Sequence, residues 1–151
     1  MSPAKETAMQ ETIFHLAFPV RNLQEAKKFY VETLGARVGR QKTAWIDIML
    51  YGAQITLHEK PEQVLSDEKN GVRHFGATLP WTRWQAVADS LRARAVSFRM
   101  PPTISHHGTP DEQAKLMISD PSGNLIELKC YRNPAVALAL DDAEQYPQPA
   151  A

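Results

Sequence analysis

The chain has 151 residues, 43% of them hydrophobic, with 17 basic side chains balancing 17 acidic ones. That suffices for one compact domain or two small modules sharing a core, and the lack of excess positive charge argues against nucleic acid or membrane surfaces as partners. No apolar run approaches the roughly 20 residues that span a bilayer, and the opening Met1-Ser2-Pro3-Ala4-Lys5-Glu6 lacks the apolar core of a secretion signal, so a cytoplasmic protein is expected. A single cysteine, Cys130, excludes an intrachain disulfide and a thiolate zinc cluster, so nitrogen and oxygen must hold any bound metal.

In chain order, residues 1–12 read as a flexible tail. Ile13 to Val20 is a bounded block of strand length, closed by Arg21 and Asn22. Leu23 to Leu34 places Leu23, Ala26, Phe29, Tyr30 and Leu34 on a helical stripe, and Gly35 is its stop signal. Strands are predicted at Ala36 to Arg40, Ala44 to Leu50 and Gln54 to Glu59, with a tight turn at Tyr51-Gly52-Ala53. A polar linker, Lys60 to Arg73, leads to a second unit: strand His74 to Leu79, helix Thr82 to Ala93, and strands Val96 to Met100, Ala114 to Ser119 and Leu125 to Tyr131. The segment Pro101 to Gln113, with adjacent His106 and His107, is its longest predicted loop, and such loops often border a site. Residues 133–151 read as a C-terminal tail, and the single domain at 13–132 divides into modules 13–60 and 74–132. The expected fold is α+β: two tandem β-α-β-β-β modules forming a curved mixed sheet around a metal or ligand cavity, with helices on the outer face.

The two modules repeat each other in residues as well as pattern. His15 opens the first strand of one and His74 that of the other; aligning Gly52 with Gly123 sets Thr56 opposite Glu127. Strand alternation puts Phe14, Leu16 and Phe18 on the apolar face with Phe75, Ala77 and Leu79, and turns His15, Ala17, His74, Gly76, Thr56 and Glu127 to the other. A lone histidine in a strand is usually a packing residue. Two at equivalent positions, with a carboxylate set between Ile126 and Leu128, suit a mononuclear metal site. An unpaired carboxylate there would be costly, and a cation relieves it. Trp45, Asp47 and Met49 share the parity that lines the same hollow.

These motifs resemble the vicinal oxygen chelate superfamily, which includes glyoxalase I, bleomycin-resistance proteins, fosfomycin-resistance thiol transferases and extradiol dioxygenases. The resemblance rests on His15-Leu16-Ala17-Phe18-Pro19-Val20, Ala26-Lys27-Lys28-Phe29-Tyr30, Leu34-Gly35 and the closing Asp120-Pro121-Ser122-Gly123-Asn124-Leu125-Ile126-Glu127-Leu128. Trp45-Ile46-Asp47, Arg73-His74-Phe75-Gly76 and Gly108-Thr109-Pro110-Asp111-Glu112-Gln113 make the chain most similar to small proteins described as predicted extradiol dioxygenases. The resemblance implies His15, His74 and Glu127 as ligands of a divalent metal, Fe(II) first, with Mn(II), Zn(II), Ni(II) or Co(II) also accommodated. Glyoxalase I carries a fourth ligand where this chain has Thr56, a poor donor; His58 or Gln54 would need a shifted metal.

The reading that follows is a dioxygenase-like enzyme acting on a catecholic or other chelating small molecule. His58 and His107 are the candidate acid/base residues, with His106 beside them. Trp45, Asp47, Thr56 and Tyr131 are candidate substrate contacts, whereas Trp81 and Trp84 read as packing residues. The alternatives are a binding protein resembling bleomycin-resistance proteins, a thiol transferase using Arg73, Lys115 and Lys129 as cations, and an isomerase. Exposed edge strands favour a homodimer. Three ligands of one ion must bring their donor atoms within about 6 Å of one another.

Overall fold

The computed structural model describes residues 11–138. The first module consists of β1 (His15–Val20), α1 (Leu23–Lys28) continued by a π-helical turn (Phe29–Thr33), β2 (Arg37–Gln41), β3 (Trp45–Leu50) and β4 (Ala53–Glu59). The linker holds a 3₁₀ turn (Pro61–Gln63) and α2 (Asp67–Asn70). The second module has β5 (Phe75–Thr78), α3 (Trp81–Ala93), β6 (Phe98–Ser105), β7 (Gln113–Ser119) and β8 (Leu125–Tyr131). A short α4 (Pro134–Ala137) begins the segment expected to be a tail; the rest of both expected tails, residues 1–10 and 139–151, lies outside the described residues.

Each module forms its own four-stranded mixed sheet, ordered β1-β4-β3-β2 and β5-β8-β7-β6. The expected curved sheet is thus built as two hydrogen-bonded units related by the repeat. In each the first strand pairs parallel with the last, because the helix carries the chain across before an antiparallel meander returns it. Local signals explain the elements. Asn22 caps α1 by accepting the Glu25 N–H at 2.9 Å. Tyr51 and Gly52, with φ of 49° and 77°, form the two-residue turn that the β3–β4 hairpin requires.

Two expectations need correction. The segment Pro101 to Gln113 is not one loop: β6 runs on to Ser105 with irregular register against β7. Prolines 101 and 102 are tolerated because β6 is an edge strand, whose outward N–H groups need no partner. Phe14 does not pack under the helices but is 69% exposed, since β1 begins only at His15.

Val20, Leu23, Ala26, Tyr30, Ile46, Ile48 and Leu57 fill the first module's core, and Trp84, Leu91, Leu116, Ile118, Ile126 and Leu128 the second's. Phe18 and Phe75 meet where β1 approaches β5, their ring centroids 5.1 Å apart. The π-helical turn carries fully buried Tyr30, whose hydroxyl donates to Asp120 Oδ2 at 2.8 Å. Burial, then the Asp120 charge and hydrogen bond, push the Tyr30 pKa well above its ordinary value, so it stays a donor. Asp120 also accepts from the N–H groups of Ser122 and Asn124, both at 2.9 Å, and Asn124 Nδ2 donates to Pro19 O at 3.2 Å. The Asp120-Pro121-Ser122-Gly123-Asn124 motif is therefore a joint between modules. No helix among the described residues is long and apolar enough to cross a membrane.

Candidate metal centre

Register places the candidate residues in rows. On the open face of the first sheet, His15 pairs with Gln54 and Gln54 with Met49; Ala17 with Thr56 and Thr56 with Asp47; Pro19 with His58 and His58 with Trp45. On the second, Gly76 pairs with Glu127 and Glu127 with Met117, and Thr78 with Lys129 and Lys129 with Lys115.

His74 and Glu127 come together. Glu127 Oε2 lies 3.2 Å from His74 Nε2, while His74 Nδ1 is 2.7 Å from the carbonyl oxygen of Val72. That carbonyl only accepts, so Nδ1 carries a proton and donates it. A neutral His74 then presents a bare Nε2 lone pair to a carboxylate oxygen, and two acceptors at that separation need a cation between or beside them, either a proton or a metal ion. Two donors about 2.1 Å from one metal at right angles are about 3 Å apart. The spacing of His74 and Glu127 thus fits that of two ligands of one ion, with the His74 ring fixed through its far nitrogen as metal-bound histidines usually are.

His15 does not join them within one chain. Among the described residues no three His, Cys, Asp or Glu side chains stand close enough to hold a metal ion. His15 is exposed on the first sheet, near enough to Asp47 to favour its charged form. Asp47, 3% exposed, accepts the Thr56 hydroxyl on Oδ1 at 2.6 Å and Arg40 Nε on Oδ2 at 2.9 Å. Burial alone pushes the Asp47 carboxyl up. The hydrogen bonds from Thr56 and Arg40, with Arg40's charge, outweigh it and hold the group below the usual carboxylate range. Both oxygens of Asp47 are thereby engaged, and the Thr56 hydroxyl points its proton at Asp47 rather than at a ligand. Arg40 lies 5.2 Å from the Trp45 ring centroid, closing this cluster.

The candidate acid/base histidines stand apart from the candidate ligands on their own sheets. His58 is four residues along β4 from the row of His15, about 13 Å. His107 lies beyond β6, its Nδ1 3.2 Å from Glu112 Oε1. Glu112 also takes Arg132 Nη2 at 3.4 Å, and Arg132 stacks on Trp81 at 3.7 Å. Burial pushes the Glu112 carboxyl up, but the Gly108 N–H and Arg132 more than reverse this. Tyr131, on the same face as Glu127, is four residues farther along β8, again about 13 Å. Trp84 is packing, with its Nε1 donating to Leu128 O at 2.9 Å.

Two groups escaped sequence reasoning. The Val72 carbonyl is backbone and leaves no residue signal. Arg40 reaches Asp47 because β2 carries a register irregularity between Val38 and Gln41, for which Gly39 within the strand was the available hint. Beside the pair, a hollow of about 240 Å³ is lined by His74, Gly76, Thr78, Glu127 and Lys129. A second, largely apolar hollow of about 420 Å³, lined by Leu16, Phe18, Leu65, Phe75 and Leu125, also reaches His74.

The sequence profile of the Glyoxalase/Bleomycin resistance protein/Dioxygenase superfamily matches residues 12–128. Among solved structures, a glyoxalase/bleomycin resistance protein/dioxygenase from Alicyclobacillus acidocaldarius is 30% identical, with TM-score 0.69, covering 80% of this chain and 92% of its own. The fosfomycin resistance protein FosX from Listeria monocytogenes is 15% identical, with TM-score 0.61 over 81% of this chain and 94% of its own. A lactoylglutathione lyase from Agrobacterium tumefaciens is 15% identical, with TM-score 0.58 over 81% and 95%. These last two share the fold. No curated protein sequence matches significantly. With the repeated modules, the paired sheets and the profile match spanning both, the chain belongs to the glyoxalase/bleomycin resistance protein/dioxygenase superfamily.

Proposed function

We propose that this protein is a metal-dependent, dioxygenase-like enzyme acting on a catecholic or other chelating small molecule, with His15, His74 and Glu127 as its metal ligands. The observation that carries the reading is the His74–Glu127 pair at 3.2 Å, whose acceptors face each other while Val72 occupies the other ring nitrogen. Two histidines and a carboxylate leave coordination positions open to a bidentate substrate. A divalent ion held there, Fe(II) for an oxygen-dependent ring cleavage, supplies Lewis-acid or redox chemistry.

Around that centre the chain's own residues bind and orient. Val72 fixes the His74 ring, and the apolar 420 Å³ hollow is large enough for a small aromatic body. His107, whose ring is held by Glu112 through Nδ1, is the proposed proton carrier from the second module, and His58 its counterpart in the first. The engagement of Thr56 by Asp47 weighs against a four-ligand isomerase centre.

The third ligand comes from a second copy of the chain in a homodimer. His15 sits beside Ile13 and Phe14, 48% and 69% exposed, and His74 near Val72, 90% exposed, so apolar groups next to both partial sites face solvent in one chain. Pairing the first module of one copy with the second module of another covers them and completes the triad.

The test is metal analysis of purified protein, then oxygen uptake with a panel of catechols after anaerobic Fe(II) reconstitution. Stoichiometric metal, lost in His74→Ala, together with catechol-dependent oxygen consumption is the expected result. Bound metal without turnover would shift the protein to a binding role or to non-redox chemistry; absence of metal binding would overturn the centre itself.

A further inference from the structure

We infer that the linker between the modules is a strap through which the apolar part of the substrate sets the His74 ring, with Asn70 and Gly71 as its positioning residues. Asn70, Gly71, Val72 and Arg73 form a turn closed by the Arg73 N–H, which donates to Asn70 O at 3.0 Å. Gly71 enters it with φ of 57° and ψ of −126°, the conformation of the first central residue of a type II′ turn. A side chain is strained there, yet a Cβ on Gly71 would meet no atom within 4 Å, so the glycine serves the backbone rather than the packing. The turn delivers the Val72 carbonyl to His74 Nδ1 at 2.7 Å. Asn70 pins it: the residue is 6% exposed, and its Nδ2 donates to Gly123 O at 3.0 Å in the loop before β8. The other tie of the linker, Asp67 to Arg99 at 2.7 Å, joins two side chains about half exposed to water, and such pairs hold little. One buried side chain therefore fixes the strap, and through it the support of the His74 ring.

The same strap walls the apolar hollow of about 420 Å³, to which it contributes Gln63, Leu65, Asn70 and Arg73 beside Phe18 and Phe75 of the strands. An apolar ring in the hollow meets those four linker residues together only while the turn lies against Gly123. It therefore binds the closed strap more tightly than one swung away, and a difference in affinity of that kind is what shifts a conformational equilibrium. Leu65 is 41% exposed, which leaves it apolar area to gain against such a ring. A segment with a single buried tie opens locally at low cost, and on opening it takes the Val72 carbonyl from His74. Filling the hollow and capturing the metal thus draw on one closed strap, and each tightens the other by the same factor. The effect on metal rests on the proposed centre, but the effect of the hollow on the strap does not.

Calorimetry of the full-length protein measures toluene, which has no donor atom, with and without Zn(II), and Zn(II) with and without toluene. Each is expected to tighten the other about fivefold in the wild type. Gly71→Ala is expected to weaken Zn(II) binding about tenfold, the scale on which the support of a ligating histidine acts, and to abolish the coupling. Gly71→Asn, a residue that type II′ turns accept, retains both. Asn70→Ala, which cuts the tie to Gly123, matches Gly71→Ala. Hydrogen exchange in the metal-free protein reads the strap directly: toluene slows amide exchange across residues 66–73 in the wild type but not in Gly71→Ala. A turn that is merely structural would lower the Tm of both variants and leave the coupling intact. Coupling that survives Gly71→Ala and Asn70→Ala, equal Zn(II) affinity with and without toluene, or a wild type that does not bind toluene overturns the inference. Failure of Zn(II) to bind would sink the metal centre alone, since toluene binding and the exchange of the metal-free protein still decide the strap.

Discussion

Asp47 shows how a residue of apparent catalytic type can be consumed by support. Its carboxylate is almost wholly buried, and Thr56 and Arg40 take one oxygen each. Arg40 in turn is flanked by Trp45, so three of the candidate substrate contacts form one cluster at the floor of the first sheet. Because the folded pKa of Asp47 is depressed, its contribution to stability is present above the unfolded carboxylate value near 3.9 and is lost as pH falls through the folded value. Asp47→Asn is expected to cost about 2 kcal/mol at neutral pH, the scale of hydrogen bonds to a charged group. Thermal unfolding followed from pH 7 to pH 2 checks this: the gap between variant and wild type should hold down to about pH 4 and narrow below it, and a gap independent of pH would refute the assignment.

At the scale of elements, β5 and β8 meet at the candidate site. Gly76 lies opposite Glu127, and a Cβ built on it would fall 1.7 Å from the Glu127 carbonyl oxygen. The glycine therefore serves the approach of the two strands, beyond the open space that its small size leaves above His74. Gly76→Ala must push β5 away from β8 and with it His74 from Glu127. A loss of about 3 kcal/mol is expected, from overpacking against backbone that has no rotamer to change. Denaturant unfolding measures it, and metal affinity should fall in the same variant; unchanged stability would contradict the register described here. On the opposite edge, β6 shows the permissiveness of an unpaired strand side, where Pro101 and Pro102 lengthen a strand that composition alone would end.

For the whole molecule, the repeat distributes one candidate ligand to the first module and two to the second, and the described residues of one chain do not gather them. In the proposed homodimer, His15→Ala and His74→Ala each spoil both sites when pure. Mixed and allowed to exchange subunits, they form heterodimers in which one site loses both histidines and the other keeps all three ligands. With random exchange about a quarter of all sites recover metal and turnover. Mixing followed by metal analysis and sedimentation tests this; no recovery from a mixture shown to contain heterodimer would place the ligands within a single chain.

Much of this architecture is legible from residues alone, because apolar periodicity and turn chemistry are local. The β-α-β-β-β order, the Tyr51-Gly52 turn and the opposite orientations of Leu16 and His15 follow from alternation and backbone sterics that need no distant partner. The pairing of His74 with Glu127 was foreshadowed by the repeat, since equivalent strands put equivalent residues on one face. What depends on tertiary structure is everything set by distance between elements. The Val72 carbonyl that orients His74 is backbone, Asp47's partners come from two other strands, and the facing lysines depend on the register of β7 against β8. The separation of His15 from His74 and Glu127 is a property of how modules pack, and one-dimensional periodicity carries no information about that.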